Sequence, residues 1–149
     1  MIQGVILKEI QPHFDERGQF SEIIRNTDEI FQSNFGQLST STVYQGVIKA
    51  WHAHDIQDQW TYILSGCLKV VLYDNRKESS TYKSLHEFIC GPSHQNVVYF
   101  FPSGVLHGYK CLNGPAQVLY MTSAVYNPDE EVRISYEDVP YDWLKQNIK

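Results

Sequence analysis

The chain has 149 residues, 42% hydrophobic and 19% charged, which suits one domain with a single sizeable core and leaves little room for two. Ten Tyr, seven Phe and three Trp against two Met favour strand over helix and exclude disorder. A formal charge of −5, with no basic run longer than Arg76-Lys77, excludes a surface that coats nucleic acid, although a few local cations can still grip one small anion.

In chain order, short apolar or alternating runs predict strands over 5–9, 20–25, 37–44, 46–54, 60–64, 68–74, 84–89, 97–101, 108–112 and 117–125. Turn signals separate them: Asp15-Glu16-Arg17-Gly18, Ser65-Gly66, Gly91-Pro92-Ser93, Pro102-Ser103-Gly104 and Asn113-Gly114-Pro115. Helix is expected only over 28–32 and in a short tail from Tyr141. About ten short strands without a repeat or linker predict one all-β domain, a jelly-roll barrel whose mouth can hold a small ligand.

The first ten residues are too short and too poor in basic residues for a secretory leader, and no apolar run approaches the ~20 residues that span a bilayer. Cys67, Cys90 and Cys111 are odd in number and lack CxxC spacing, which fits buried thiols in a reducing compartment. The expectation is a cytoplasmic protein with no membrane or nucleic-acid partner.

The chemistry sits downstream of Gly46. His52 and His54 are two residues apart, so on a strand both imidazoles point to one face. Gln59 and Gly66 follow, and Pro102-Ser103-Gly104 places His107 three residues beyond the glycine. Three imidazoles converging on a barrel interior are costly to bury without a use, whereas His13, His86 and His94 read as surface or satisfied core residues.

These spacings resemble the two cupin signatures, G(x)5HxH(x)4[E/Q](x)6G and P-x-G-x-x-H. A longer resemblance covers nearly the whole chain. His13-Phe14-Asp15-Glu16-Arg17-Gly18-Gln19-Phe20-Ser21-Glu22, Phe35 to Ser41, and Gly46-Val47-Ile48-Lys49-Ala50-Trp51-His52 follow one another in family order. Asp74-Asn75-Arg76-Lys77-Glu78-Ser79, then Phe101 to Tyr109 (family P-x-G-F-A-H-G-F), then Leu119-Tyr120 and Tyr126-Asn127-Pro128 continue it. The set is similar to the dTDP-4-dehydrorhamnose 3,5-epimerase family.

That resemblance implies a cupin-type barrel and a cofactor-independent, metal-free isomerase. Its substrate would be a nucleotide-diphosphate sugar bearing a C4 ketone, from which a base removes the acidic neighbouring proton. His52 matches the catalytic base and Tyr120 the opposing acid. Gln59 stands where the family has an enolate-holding lysine, with Lys49, His54 or His107 as further donors. Arg17, Phe20, Glu22 and Gln37 match nucleotide-contacting positions, Lys49 a pyrophosphate-contacting arginine, and Tyr126 a pocket aromatic. The segment around Arg17 completes the neighbouring subunit's site in the family, which implies a homodimer. The family's C-terminal aspartate that orients the catalytic histidine has no counterpart here, so His52 is expected either to be oriented by another group or to be a weaker base. His52-Ala53-His54 also resembles the nucleotide-sugar 3,4-ketoisomerases. A metal-dependent cupin, with His52, His54, Gln59 and His107 as ligands, and a non-catalytic sugar-binding cupin are the readings from other classes.

Overall fold

The computed structural model describes residues 1–145. It contains strands β1 (Ile6–Glu9), β2 (His13–Asp15), β3 (Gly18–Phe20), β4 (Gln37–Val43), β5 (Ile48–His54), β6 (Gln59–Asp74), β7 (Leu85–Cys90), β8 (Val97–Phe101), β9 (Val105–Thr122) and β10 (Glu131–Arg133). Single 3-10 turns lie at Pro128–Glu130 and Tyr136–Asp138.

The two long strands make the sandwich. β6 and β9 pair with each other along most of their lengths, and each serves both layers. The first half of β6 and the second half of β9 lie between β8 and β4, giving the layer β1-β8-β6-β9-β4. The second half of β6 and the first half of β9 lie between β7 and β5, giving the layer β7-β6-β9-β5-β10. This is the jelly-roll barrel of the cupin type.

Side-chain alternation along these strands sorts the apolar residues into three cores. Leu68, Val70, Leu72, Val105, Tyr109, Val118 and Phe101 fill the space between the layers. Trp60, Tyr62, Val98, Phe100 and Met121 face outward from the first layer and are covered by Ile10, Ile30 and neighbouring residues of the connection after β3. Trp51, Ala53, Val71, Tyr73 and Leu106 face outward from the second layer, under Val139 and Trp143 of the C-terminal segment.

Four expectations need correction. The pairs 60–64 with 68–74 and 108–112 with 117–125 are each one continuous strand, because Ser65-Gly66 is a register shift rather than a turn. Gly66 has φ +83°, and a Cβ there would lie 2.6 Å from the carbonyl of Asn113, so only glycine lets the strands pass. The strand expected at 20–25 is instead the hairpin β2–β3 followed by irregular chain, since the adjacent Ile23 and Ile24 both pack onto the core around Trp60, which a strand's alternation would not allow. Residues 28–32 form turns, tied by the Asp28 side chain to the amide of Arg25. The tail shows no helix through residue 145, where aromatic packing takes precedence over helical pairing; the remainder of that expectation lies outside the described residues.

The Asp74-Asn75-Arg76-Lys77-Glu78-Ser79 motif turns out to be architectural. Asp74 is fully buried and accepts from Arg76 Nε at 2.8 Å and from Ser79 Oγ and Thr81 Oγ1 at 2.6 Å. Burial alone would raise its pKa, but these donors outweigh it and hold the carboxyl well below the usual range. Arg76 also donates to the carbonyl of Gln3, fastening the N-terminal segment.

Candidate active site

Between the layers lies a cavity of ≈ 240 Å³ lined by Ser41, Lys49, His52, His54, Gln59, His107, Tyr109 and Tyr120. All five residues expected from the sequence to carry the chemistry, and Lys49, are therefore brought together. The two layers contribute opposite walls: His52 and His54 stand on β5 in one, Tyr120 and Ser41 on paired strands β9 and β4 in the other.

A local irregularity aims the β5 side chains. Lys49 and His52 are three residues apart, so a regular strand would send them to opposite faces. The register shifts between them, with Lys49 opposite Tyr109 and His52 opposite His107, and both reach the cavity. Gly108 permits the close approach: a Cβ there would lie 2.4 Å from that of Ala50.

The orienting group that sequence reasoning left unassigned is Glu131. Its Oε1 accepts from His52 Nδ1 at 2.8 Å, and Arg133 holds its other oxygen at 3.2 Å. A carboxylate only accepts, so the proton sits on Nδ1 and the lone pair of Nε2 is left for a substrate. Burial pushes the Glu131 carboxyl up, but Arg133 and His52 outweigh that and hold it below its ordinary value.

A second pair runs alongside. His54 Nδ1 donates to Glu130 Oε1 at 3.2 Å, and Glu130 Oε2 accepts the amides of Ile56 at 3.0 Å and Gln57 at 3.2 Å. His107 lies between the two imidazoles, with ring centroids 5.7 Å from His54 and 6.1 Å from His52. Burial, then the neighbouring His54 and His52, push its pKa down to about 3, so it is neutral. Its Nδ1 can only donate to the carbonyl of Val105, 3.4 Å away, which presents the other nitrogen to the cavity as an acceptor.

Donors for an enolate oxygen therefore fall to Lys49 and Gln59. Gln59 is buried, and its Nε2 donates to Thr61 Oγ1 at 2.9 Å, fixing the amide. Lys49 makes no ion pair among the described residues and lines the cavity as its cation. Tyr120 heads a hydroxyl cluster, 2.9 Å from Ser41 Oγ and 2.7 Å from Tyr109 Oη. No group of three or more His, Cys, Asp or Glu side chains is arranged to hold a metal ion among the described residues.

The expected nucleotide contacts divide. Gln37 lies on the same β4 face as Ser41, donates to Ser39 Oγ at 2.8 Å and accepts the amide of Tyr126 at 2.9 Å, so these two residues adjoin each other on one side of β4. Tyr126 itself is exposed. Arg17, Phe20 and Glu22 are outside the cavity. Arg17 is 89% exposed on the β2–β3 hairpin and paired with Asp15; Phe20 is exposed at the end of the same hairpin.

A jelly-roll barrel with a carboxylate-held imidazole facing a phenol across one cavity has the parts of a proton-transferring isomerase. The family described as dTDP-4-dehydrorhamnose 3,5-epimerase matches residues 1–148, and the chain belongs to it. The spore coat polysaccharide biosynthesis protein SpsL of Bacillus subtilis is 39% identical over 148 residues, covering 96% of this chain and 97% of its own. The probable low-salt glycan biosynthesis epimerase Agl13 of Haloferax volcanii is 31% identical, covering 91% and 89%. Among solved structures, a dTDP sugar isomerase from Desulfovibrio desulfuricans superimposes with a TM-score of 0.90 at 27% identity, covering 98% of this chain and 94% of its own. A dTDP-6-deoxy-D-glucose-3,5-epimerase from Legionella pneumophila, solved with dTDP-4-keto-L-rhamnose, gives 0.85 at 25%, covering 96% and 80%. No helix of the described residues is long and apolar enough to cross a membrane.

Proposed function

We propose that this chain epimerises a dTDP-linked 4-keto-6-deoxysugar at carbon next to the ketone, as a step in building a surface polysaccharide or glycan. His52 Nε2 takes the proton on one ring face, the electron pair enters the enolate, and Tyr120 returns a proton to the other face. Lys49 and Gln59 hold the enolate oxygen. Base, acid and donors suffice for this chemistry without a cofactor.

The observation that carries the reading is the opposition of the Glu131-oriented His52 and the hydroxyl-flanked Tyr120 on the two layers of one cavity. Family membership supports epimerisation over 3,4-ketoisomerisation, and over a metal-dependent or non-catalytic cupin. Gln37 and Tyr126 are assigned to the nucleotide side. Arg17, Phe20 and Glu22, which do not line their own chain's cavity, are assigned to the site of a second copy in a homodimer.

The test is incubation of dTDP-4-keto-6-deoxyglucose in heavy water, read by NMR for labelled carbons and for inversion. His52→Ala is expected to abolish exchange beside the ketone while dTDP binding survives. Full exchange in that variant would refute the role, and one labelled carbon against two counts the centres inverted.

A further inference from the structure

We infer that Tyr109 is a positioning residue for proton return: its hydroxyl, with that of Ser41, cradles the Tyr120 oxygen, aims its O–H at the sugar and steadies the phenolate left once the proton has gone. The inference rests on the reading of Tyr120 as the acid. It goes beyond that reading because position 109 is phenylalanine in the family motif that this segment resembles, so this hydroxyl belongs to the chain's own chemistry.

The geometry is specific. Tyr109 stands on β9 where that strand belongs to the histidine-bearing layer, and Tyr120 stands on the same strand eleven positions on, in the other layer. Their hydroxyl oxygens meet at 2.7 Å, while Ser41 reaches Tyr120 at 2.9 Å from β4. A phenol oxygen has two acceptor sites and one proton. With Ser41 and Tyr109 both donating, Tyr120's own proton is left for the cavity.

Burial, and then the neighbouring Tyr120 hydroxyl, push the Tyr109 phenol far above its ordinary pKa, so Tyr109 keeps its proton when Tyr120 gives one up. The step balances. The C–H bond on one face breaks to His52, a C–H bond forms on the other face from the Tyr120 O–H, and the negative charge passes from enolate to phenolate. Two fixed hydroxyl donors then hold that charge until solvent returns a proton, in the manner of an oxyanion hole.

A role confined to proton return has a signature that packing lacks. If Tyr120 donates slowly, the enolate is reprotonated from His52, which washes in deuterium without inversion. Tyr109→Phe keeps the ring and removes one oxygen, so the fold is expected to persist. In heavy water with dTDP-4-keto-6-deoxyglucose, this variant is expected to keep its exchange rate and KM while inverted product forms about 10- to 100-fold more slowly, the effect of one lost hydrogen bond to a charged group. Ser41→Ala, removing the second donor from the other strand, gives the same split by a smaller factor.

An unchanged ratio of exchange to inversion in both variants, or an equal fall in both rates, overturns the inference. Tyr120→Phe separates this from the underlying reading. If it exchanges without inverting while Tyr109→Phe behaves as the parent, only the Tyr109 role fails. If it still inverts, or if the unmodified chain neither exchanges nor inverts, the proposed function fails and takes the Tyr109 role with it.

Discussion

His52 can act as a base through one nitrogen because the other is committed to Glu131, and that contact spans 79 positions of sequence. Glu131→Gln tests it. A glutamine can turn its amide nitrogen toward Nδ1 and so favour the tautomer with the proton on Nε2, which cannot accept one from a sugar. The expected result is a fall in kcat of on the order of 10²- to 10⁴-fold with KM little changed. Stability carries a second mark. The folded carboxyl titrates below its ordinary value of 4.5, so its ionisation stabilises the fold above that pH, and the contribution is lost as pH falls through the lower folded value. Urea midpoints of Glu131→Gln are expected to vary less with pH on that acid side than those of the parent. Period-two spacing made His52 and His54 legible, and motif spacing did the same for His107, Gln59 and Tyr120. Glu130 and Glu131 carried no such mark: they belong to a run of three acids after Asn127-Pro128, and it is the pairing of β10 with β5 that sets them beside the histidines. The signal that could have found them is the Glu131-Val132-Arg133-Ile134 alternation, which is short but strand-like.

At the level of elements, β10 is three residues long, and the C-terminal segment behind it supplies the weight that holds it. Ile134 exchanges backbone hydrogen bonds with Trp51 at 3.1 and 3.4 Å, Asp55 donates to the carbonyl of Glu130, and Trp143 packs 5.1 Å from Trp51. Tyr141 adds an edge contact to both indoles, a hydrogen bond to Glu87 and the ammonium of Lys69 over its ring. Trp143→Ala therefore removes a buried wall of the third core and is expected to cost about 3–5 kcal/mol in urea unfolding. Because Glu131 rides on the same segment, kcat should fall by more than KM changes. Trp143→Phe should cost less, since the buried indole nitrogen has no hydrogen-bond partner among the described residues. The same scale explains why strand positions were readable and strand boundaries were not. Alternation marks which residues face inward, but Ser65-Gly66 and Asn113-Gly114-Pro115 carry turn composition, and only the opposed strand shows that the ladder runs through them.

For the whole molecule, the β2–β3 hairpin is the part that its own chain leaves unexplained. It forms a separate two-stranded sheet, with Phe14 73% and Phe20 65% exposed and Arg17 directed away from the core. Two exposed phenylalanines on a hairpin outside the main sheet are what a contribution to a second copy predicts. If each site combines His52 of one copy with Arg17 of the other, two defective chains can complement. Arg17→Ala alone should weaken dTDP binding, and His52→Ala alone should be inactive. Co-expressed in equal amounts, half of the dimers are mixed, and each mixed dimer holds one site with both residues intact and one with neither. Activity at subsaturating substrate should then rise to about a quarter of the parent's, beyond the residual activity of either variant alone. Should the hairpin instead serve its own chain, every site in a mixed dimer carries one defect, and no recovery follows even if sedimentation shows a dimer.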